Sequence, residues 1–268
     1  IQGIQRFFSS VNCQRQDYMT AQQEKQADGY QPVTMPHDCA YFTVWGCRDT
    51  INDRRCNKMK AEDVLEYLQK EIHTTVAATT DEDGLPCTCA IDMMDADENG
   101  LYFLTAKGKA FYRRLKHSGY LALTGMKGSD SMSTVAVSVR GKVKELGNTK
   151  IPELFEKNPY MNEIYPSPES QKALTVFQLY EGTGEWFDLS KKPIERLSFS
   201  FGHTKTIPEG YFITNACTGC GRCREVCPQD CINFDSVPAV IRQEHCLHCG
   251  NCMEVCPEQA VNFGGGSK

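Results

Sequence analysis

The chain has no apolar run approaching the roughly 20 residues needed to cross a membrane, and no basic-then-apolar leader at its start. It begins at Ile1 rather than Met, which leaves the natural start open. Neither a Walker loop nor a dinucleotide-type Gly-x-Gly-x-x-Gly can be placed on a strand–helix junction, and no Ser-His-Asp pattern emerges. Basic charge is in deficit: 29 Lys and Arg face 34 Asp and Glu, for a net charge of −5. That balance speaks against a nucleic-acid partner and against an anionic membrane surface. The 268 residues suffice for one domain of ordinary size and a small one.

Cysteine, by contrast, is abundant, at 15 residues. In a secreted chain such a number would read as disulfides. Here eight fall into two runs, Cys217-x2-Cys220-x2-Cys223-x3-Cys227-Pro228 and Cys246-x2-Cys249-x2-Cys252-x3-Cys256-Pro257, which repeat at a spacing of 29 residues. Each run sets three thiolates on one tight loop, able to grip three corners of a cubane iron–sulfur cluster. The fourth, carried off by the next turn, ligates the cluster of the other run. Cys217, Cys220, Cys223 and Cys256 then hold one [4Fe-4S] cluster, and Cys246, Cys249, Cys252 and Cys227 a second. Paired CxxC motifs also bind zinc, but two full repeats with both Cys-Pro endings favour clusters. The segment 211–263 resembles a bacterial two-cluster ferredoxin domain. Such clusters must stay reduced, so a cytoplasmic protein of an anaerobe is expected.

The pattern along the chain divides it further. Residues 1–58 read as a polar, Gln-rich extension carrying Cys39, Cys47 and Cys56. From Lys60 to Glu71 a helix is expected, with Val64, Leu65, Leu68 and Ile72 on one face. Strands follow at His73–Thr80, Leu85–Met94 and Leu101–Thr105, then a helix from about Lys109 to His117 and strands at Tyr120–Met126 and Ser133–Glu145. Asp95–Gly100 reads as a turn. A helix at Ile151–Lys157, a proline-punctuated connection at Tyr160–Pro168, and two closing strands at Thr175–Tyr180 and Gly184–Leu189 complete a small β-barrel over 59–200. A linker is expected at 201–210 and a flexible tail at 264–268.

Three stretches of the barrel resemble the pyridoxamine 5′-phosphate oxidase-like split barrels, a flavin-binding family. They are helix 61–71 with the later turn Asp83-Gly84-Leu85-Pro86, the segment Leu101–Phe111, and Val135–Val143 with its central Gly141. The resemblance implies FMN at a homodimer interface, with its phosphate met by Thr105, Lys107, Gly108 and Lys109. A dianionic phosphate does call for a hydroxyl, backbone N–H groups and ammonium charge. The strand from Pro86 would lie beside the flavin ring, bringing Cys87, Thr88 and Cys89 close, with only one of the two thiols expected to face it. The oxidase's more distant lysine and Ser-Arg pair are absent, so pyridoxamine phosphate is not the expected substrate. The fold class is thus mainly β: an FMN-binding split barrel followed by a small two-cluster ferredoxin-like α+β domain.

Clusters pass electrons singly, while a flavin collects two and delivers them as a hydride. The expected function is an FMN-dependent reductase. It would take electrons from an external low-potential donor through two [4Fe-4S] clusters and pass them to a small organic acceptor. One alternative is a non-catalytic electron-transfer subunit of a larger redox complex, its flavin capped by Trp186 or by 160–168. Another is a haem-binding barrel, with His73 or His117 as ligand. The Cys39, Cys47, Cys56 trio, with Cys13, Cys87 or Cys89, lacks the short Cys-x2–4-Cys step of most metal sites and reads as buried thiols or a further metal site. Cys231 reads as packing, and His245 and His248 as groups tuning hydrogen bonding around the clusters. No side chain stands out as a proton donor.

Overall fold

A computed structural model describes residues 59–205 and 209–265. The N-terminal extension, with Cys13, Cys39, Cys47 and Cys56, lies outside these residues. Helix α1, Ala61–Tyr67, places Val64 and Leu65 in the core and runs on into a π-helical turn at Leu68–Ile72. Its acidic first turn suits the helix dipole, and the Asp63 carboxylate accepts the Lys60 backbone N–H at 2.7 Å.

Eight antiparallel strands form the barrel sheet: β1 Thr74–Thr80, β2 Pro86–Asp92, β3 Asp95–Asp97, β4 Gly100–Ala106, β5 Tyr120–Lys127, β6 Val135–Gly147, β7 Leu174–Asp188 and β8 Glu195–Phe201. Their order is β2-β1-β5-β6-β7-β4-β3, with β8 also on β7. Strand β7 pairs with β6 along one edge. Its other edge is shared, with β4 on Leu174–Leu179 and β8 on Gly182–Asp188. That shared edge splits the barrel. At the far end of the sheet, β2 comes back against β4.

Alternation explains the strands that face solvent on one side, such as β1 and β5. Strand β4 is buried on both faces, which its continuous apolar run Leu101–Leu104 permits. Phe103 stacks on Phe177 at 5.8 Å inside the barrel, and burying each ring contributes roughly 1.5–3 kcal/mol. Helix α2, Ala110–Ser118, covers this face with Phe111 and Leu115. Helix α3, Ile151–Lys157, covers a second cluster around Met94, Tyr102, Leu104 and Val176.

Several segments depart from the sequence reading. Asp95–Asp97 is a short strand on β4 rather than a turn. The two closing strands are one, because Gly182 between them and Gly184 at the start of the second serve close approach instead of reversal: a side chain at Gly182 would collide with the Arg140 carbonyl, and one at Gly184 with the Phe199 ring. The connection 160–168 contains a short helix, α4, Met161–Ile164, and α5, Pro168–Gln171, follows it. The ferredoxin-like segment opens with β9, Glu209–Ile213, which pairs with β12, Val261–Gly265. Glu209 and Gly210, placed in the linker by sequence, and Gly264 and Gly265, placed in the tail, thus belong to this ladder. Between them lie α6 Arg222–Glu225, β10 Ile232–Asn233, β11 Val240–Ile241 and α7 Asn251–Glu254.

Gly141 sits opposite Gly182 where β6 and β7 cross, just before a register shift. A Cβ at Gly141 would run into the Glu181 carbonyl and lie 2.8 Å from the Gly182 Cα. Gly141→Ala is expected to destabilise the fold by about 1–3 kcal/mol through overpacking, read as a fall in thermal midpoint by circular dichroism.

Candidate functional site

The β9–β12 ladder closes the two ends of the ferredoxin-like segment on each other, so the last cysteine of the second run returns to the loop of the first. Cys217, Cys220, Cys223 and Cys256 line one small cavity, walled by Ile213, Phe234 and Val261. Cys227, Cys246, Cys249 and Cys252 line another, walled by Tyr211, Ile232 and Ile241. The two loops share one backbone. Gly219 and His248, Gly221 and Gly250, and Asp230 and Gln259 are corresponding residues of the repeat, and all six have positive φ. Three of these positions carry a side chain against the usual preference of that region, so the loop geometry is imposed by the fold. Four convergent sulfurs in an apolar wall match the ligand set of a [4Fe-4S] cluster.

Backbone N–H groups reach the sulfurs as well: His248 donates to Cys246 Sγ at 3.4 Å and Ala260 to Cys256 Sγ at 3.3 Å. Cys231 is a fifth thiol in the second cavity. It is buried and lies 3.5 Å from Cys227 Sγ. The neighbouring Cys246 thiol first, and burial second, push the Cys231 thiol up. Cys231 in turn draws the Cys246 thiol down to about 6, with the His248 N–H and the Arg196 charge acting in the same direction against burial.

This second cavity faces the barrel. Arg196 on β8 donates through Nη1 to the Cys246 carbonyl at 3.1 Å, while its Nε pairs with Glu185 and its guanidinium lies 5.2 Å from the Phe187 ring centroid. Beside it, the Ile194 carbonyl accepts from His245 Nδ1 at 2.8 Å, and the Ile194 N–H donates to Gln229 Oε1 at 3.1 Å. His248 is half-buried, edge-on to Tyr211 and Phe263. Burial first, then Arg196, holds its pKa below the usual imidazole value. A groove of about 550 Å³ runs from His248 and Arg196 across Glu185, Thr183, Ser138 and Arg140. Ser138 and Arg140 fall in the family-like stretch Val135–Val143, while Thr183, Glu185 and Arg196 carry no motif and give no signal in the sequence.

On the barrel, Thr105 is the last fully buried residue of β4, and its hydroxyl has no partner among the described residues. Its strand neighbour Thr175 donates to Glu145 at 2.8 Å. Immediately after it, Lys107, Gly108 and Lys109 are exposed, and open space surrounds Gly108 where a side chain would be. The β2 residues come to the same region. Burial pushes the Cys89 thiol up, and the charges of Arg114 and Lys109 pull it the other way. Arg114 also donates to Thr79, the partner of Cys87 across β1 and β2, at 2.8 Å. Cys87 and Cys89 share the half-buried face of β2, while Pro86 and Thr88 point outward. This corrects the expectation that only one thiol could face inward, since residues two apart lie on the same side of a strand. Arg114, which reads from sequence as part of a solvated basic helix start, is half-buried and engaged here, and Thr79 gives no signal in the sequence.

The other singled-out residues lie elsewhere. Trp186 packs in the barrel core, edge-on to Tyr67 at 4.7 Å. Tyr160 donates to Asp92 at 2.8 Å and contacts His73 Nε2 at 3.0 Å; burial first, then Asp92, pushes its hydroxyl pKa up. His117 is exposed on the last turn of α2.

Residues 61–188 match the family model for pyridoxamine 5′-phosphate oxidase, and residues 216–260 that for the 4Fe-4S dicluster domain. Residues 61–188 thus form a pyridoxamine 5′-phosphate oxidase-like domain. No curated protein matches the chain. Similar solved structures include a NimC/NimA family protein from Clostridium acetobutylicum, at 19% identity and TM-score 0.43, over 52% of this chain and 91% of that one. PhzG from Burkholderia lata, in complex with tetrahydrophenazine-1-carboxylic acid, aligns at 15% identity and TM-score 0.40, over 48% and 76%. HutZ, the heme storage protein of Vibrio cholerae, aligns at 13% and 0.37, over 46% and 90%. An oxidase-like barrel joined to a dicluster domain is an architecture for redox chemistry or electron transfer.

The crossed cysteines give a direct test. Cys256→Ala is expected to empty the site of Cys217, Cys220 and Cys223 while the other site keeps its cluster, taking iron from about eight to about four per chain. Iron analysis with electron paramagnetic resonance reads the result, and a variant keeping both signals intact would rule the crossing out.

Proposed function

We propose that the protein is an FMN-dependent reductase, homodimeric, that takes electrons from an external low-potential donor through two [4Fe-4S] clusters and passes them to a small organic acceptor. The observation that carries this reading is the Thr105 hydroxyl, without a partner among the described residues, buried where β4 ends and followed at once by the exposed Lys107, Gly108 and Lys109. An unpaired buried hydroxyl costs roughly 1–3 kcal/mol, and a phosphate oxygen would satisfy it. The ammonium groups and the open Gly108 backbone suit the rest of a dianion. Bound there, FMN would collect single electrons and release them in pairs.

The chain's own residues have separable tasks in this scheme. Thr105, Lys107, Gly108 and Lys109 hold the phosphate, and Arg114 adds positive charge beside Cys89. Pro86, Cys87, Thr88 and Cys89 border the ring. Arg196 and Ile194 fasten the second cysteine cavity to the barrel, so the acceptor and the source of electrons meet in one subunit. The groove beside Arg196 has the size of a small-molecule site, and Arg140, Ser138 and Thr183 give it donors for a polar acceptor. Trp186, one of the two candidate caps for a closed relay, is buried in the barrel core.

Anaerobically purified protein is expected to contain about one FMN and about eight irons per chain. Eight irons with no flavin, even after adding FMN, would leave a ferredoxin fused to a barrel of another use. Thr105→Val is expected to weaken FMN binding roughly 10- to 100-fold, the loss of one hydrogen bond to a charged group. Fluorescence titration of flavin-free protein measures this, and unchanged affinity would move the phosphate away from β4.

A further inference from the structure

The two cysteine sites repeat each other in backbone but not in surroundings. Position 231 of the first repeat corresponds to position 260 of the second. Both are buried, one as cysteine and the other as alanine. Cys231 lines the cavity of Cys227, Cys246, Cys249 and Cys252, and its Sγ lies 3.5 Å from that of Cys227. Ala260 offers the other site a backbone N–H but no side-chain donor. Sulfurs bound to iron are thiolates and carry no proton, so within the Cys227–Cys231 pair only Cys231 can donate. Its S–H is then the donor to the Cys227 ligand sulfur.

We propose that Cys231 makes the site of Cys227, Cys246, Cys249 and Cys252 the more readily reduced of the two, and thereby the one that gathers electrons at the barrel. Reduction of a [4Fe-4S] cluster adds one electron, breaks no bond and moves no proton. The added negative charge spreads over iron and sulfur, and a hydrogen bond to a ligand sulfur stabilises the reduced form more than the oxidised one. The Cys231 proton stays on its own sulfur throughout. The Arg196 guanidinium, hydrogen-bonded to the Cys246 carbonyl, acts in the same sense by bringing positive charge to this site. The electron comes from the site of Cys217, Cys220, Cys223 and Cys256, which the external low-potential donor refills. An extra thiol donor at the barrel-facing site therefore gives the relay a downhill direction. The proposal rests on the two-cluster reading and stands without the flavin.

The test is an anaerobic redox titration of the whole chain followed by electron paramagnetic resonance. Wild type is expected to show two midpoints. Cys231→Ala, which installs the residue found at position 260, should move the higher midpoint down toward the lower and leave the lower in place. Cys231→Val, closer to cysteine in volume, should do the same if the alanine variant loses iron. Cys231→Ser keeps a donor and should hold the higher midpoint near its wild-type position. Unchanged midpoints in an apolar variant that retains its iron would overturn the proposal, as would a shift confined to the lower one. Fewer than about eight irons in the wild type would overturn the two-cluster reading itself, a result seen by iron analysis before any titration.

Discussion

Strand β7 is the constraint on which both candidate sites depend. Near its start Thr175 stands opposite Thr105, at the end of β4; near its finish Phe187 stands opposite Arg196 on β8. One edge of a single strand thus positions the phosphate-type turn and the contact with the cysteine domain. Gly182 and Gly184 lie between, where β6 and the Phe199 ring come too close for any side chain. The sheet can share this edge because β4 and β8 each cover only half of it. An unbroken partner strand would have removed one of the two sites.

The ferredoxin-like segment works under a different constraint. It has little core of its own beyond Cys231, Ile232, Ala239, Ile241 and Val261, as expected for a unit too small to be stabilised by apolar burial alone. Its order depends on short ladders, on left-handed loop residues repeated in both halves, and on its contacts with Ile194 and Arg196. Metal–thiolate bonds would supply most of the remaining stability, and metal binding and folding are coupled in such units.

Much of this was legible in the sequence, for identifiable reasons. The eight cysteines could be read because cluster geometry fixes their spacing, and the β9–β12 closure then groups them around two cavities. The barrel strands could be read from alternation, and α1 from its apolar face. Strand β7 could not, because Gly182 and Gly184 look like a turn until the neighbouring backbone is seen. Nor could β3, whose Asp95-Ala96-Asp97 has the composition of a loop and forms a strand only by pairing with β4. Thr105 could be put forward as a phosphate-binding candidate only by family resemblance; its burial without a partner among the described residues is a tertiary fact. Arg196 gives no local signal at all, since its value lies in what the second domain brings to it. Cys231 reads only as packing until the two repeats are aligned, when alanine at the matching position 260 marks it as a difference between the two sites.

The length of β7 has a kinetic side. From Thr175 to Phe187 the strand spans roughly 40 Å if fully extended at ~3.3 Å per residue, and only its curvature around the barrel shortens that path. Electron tunnelling falls off exponentially with separation. A carrier tethered by its phosphate at Thr105 would therefore have to reach along the barrel wall to receive charge arriving at Arg196. Turnover in such a protein would be governed by reach as much as by driving force.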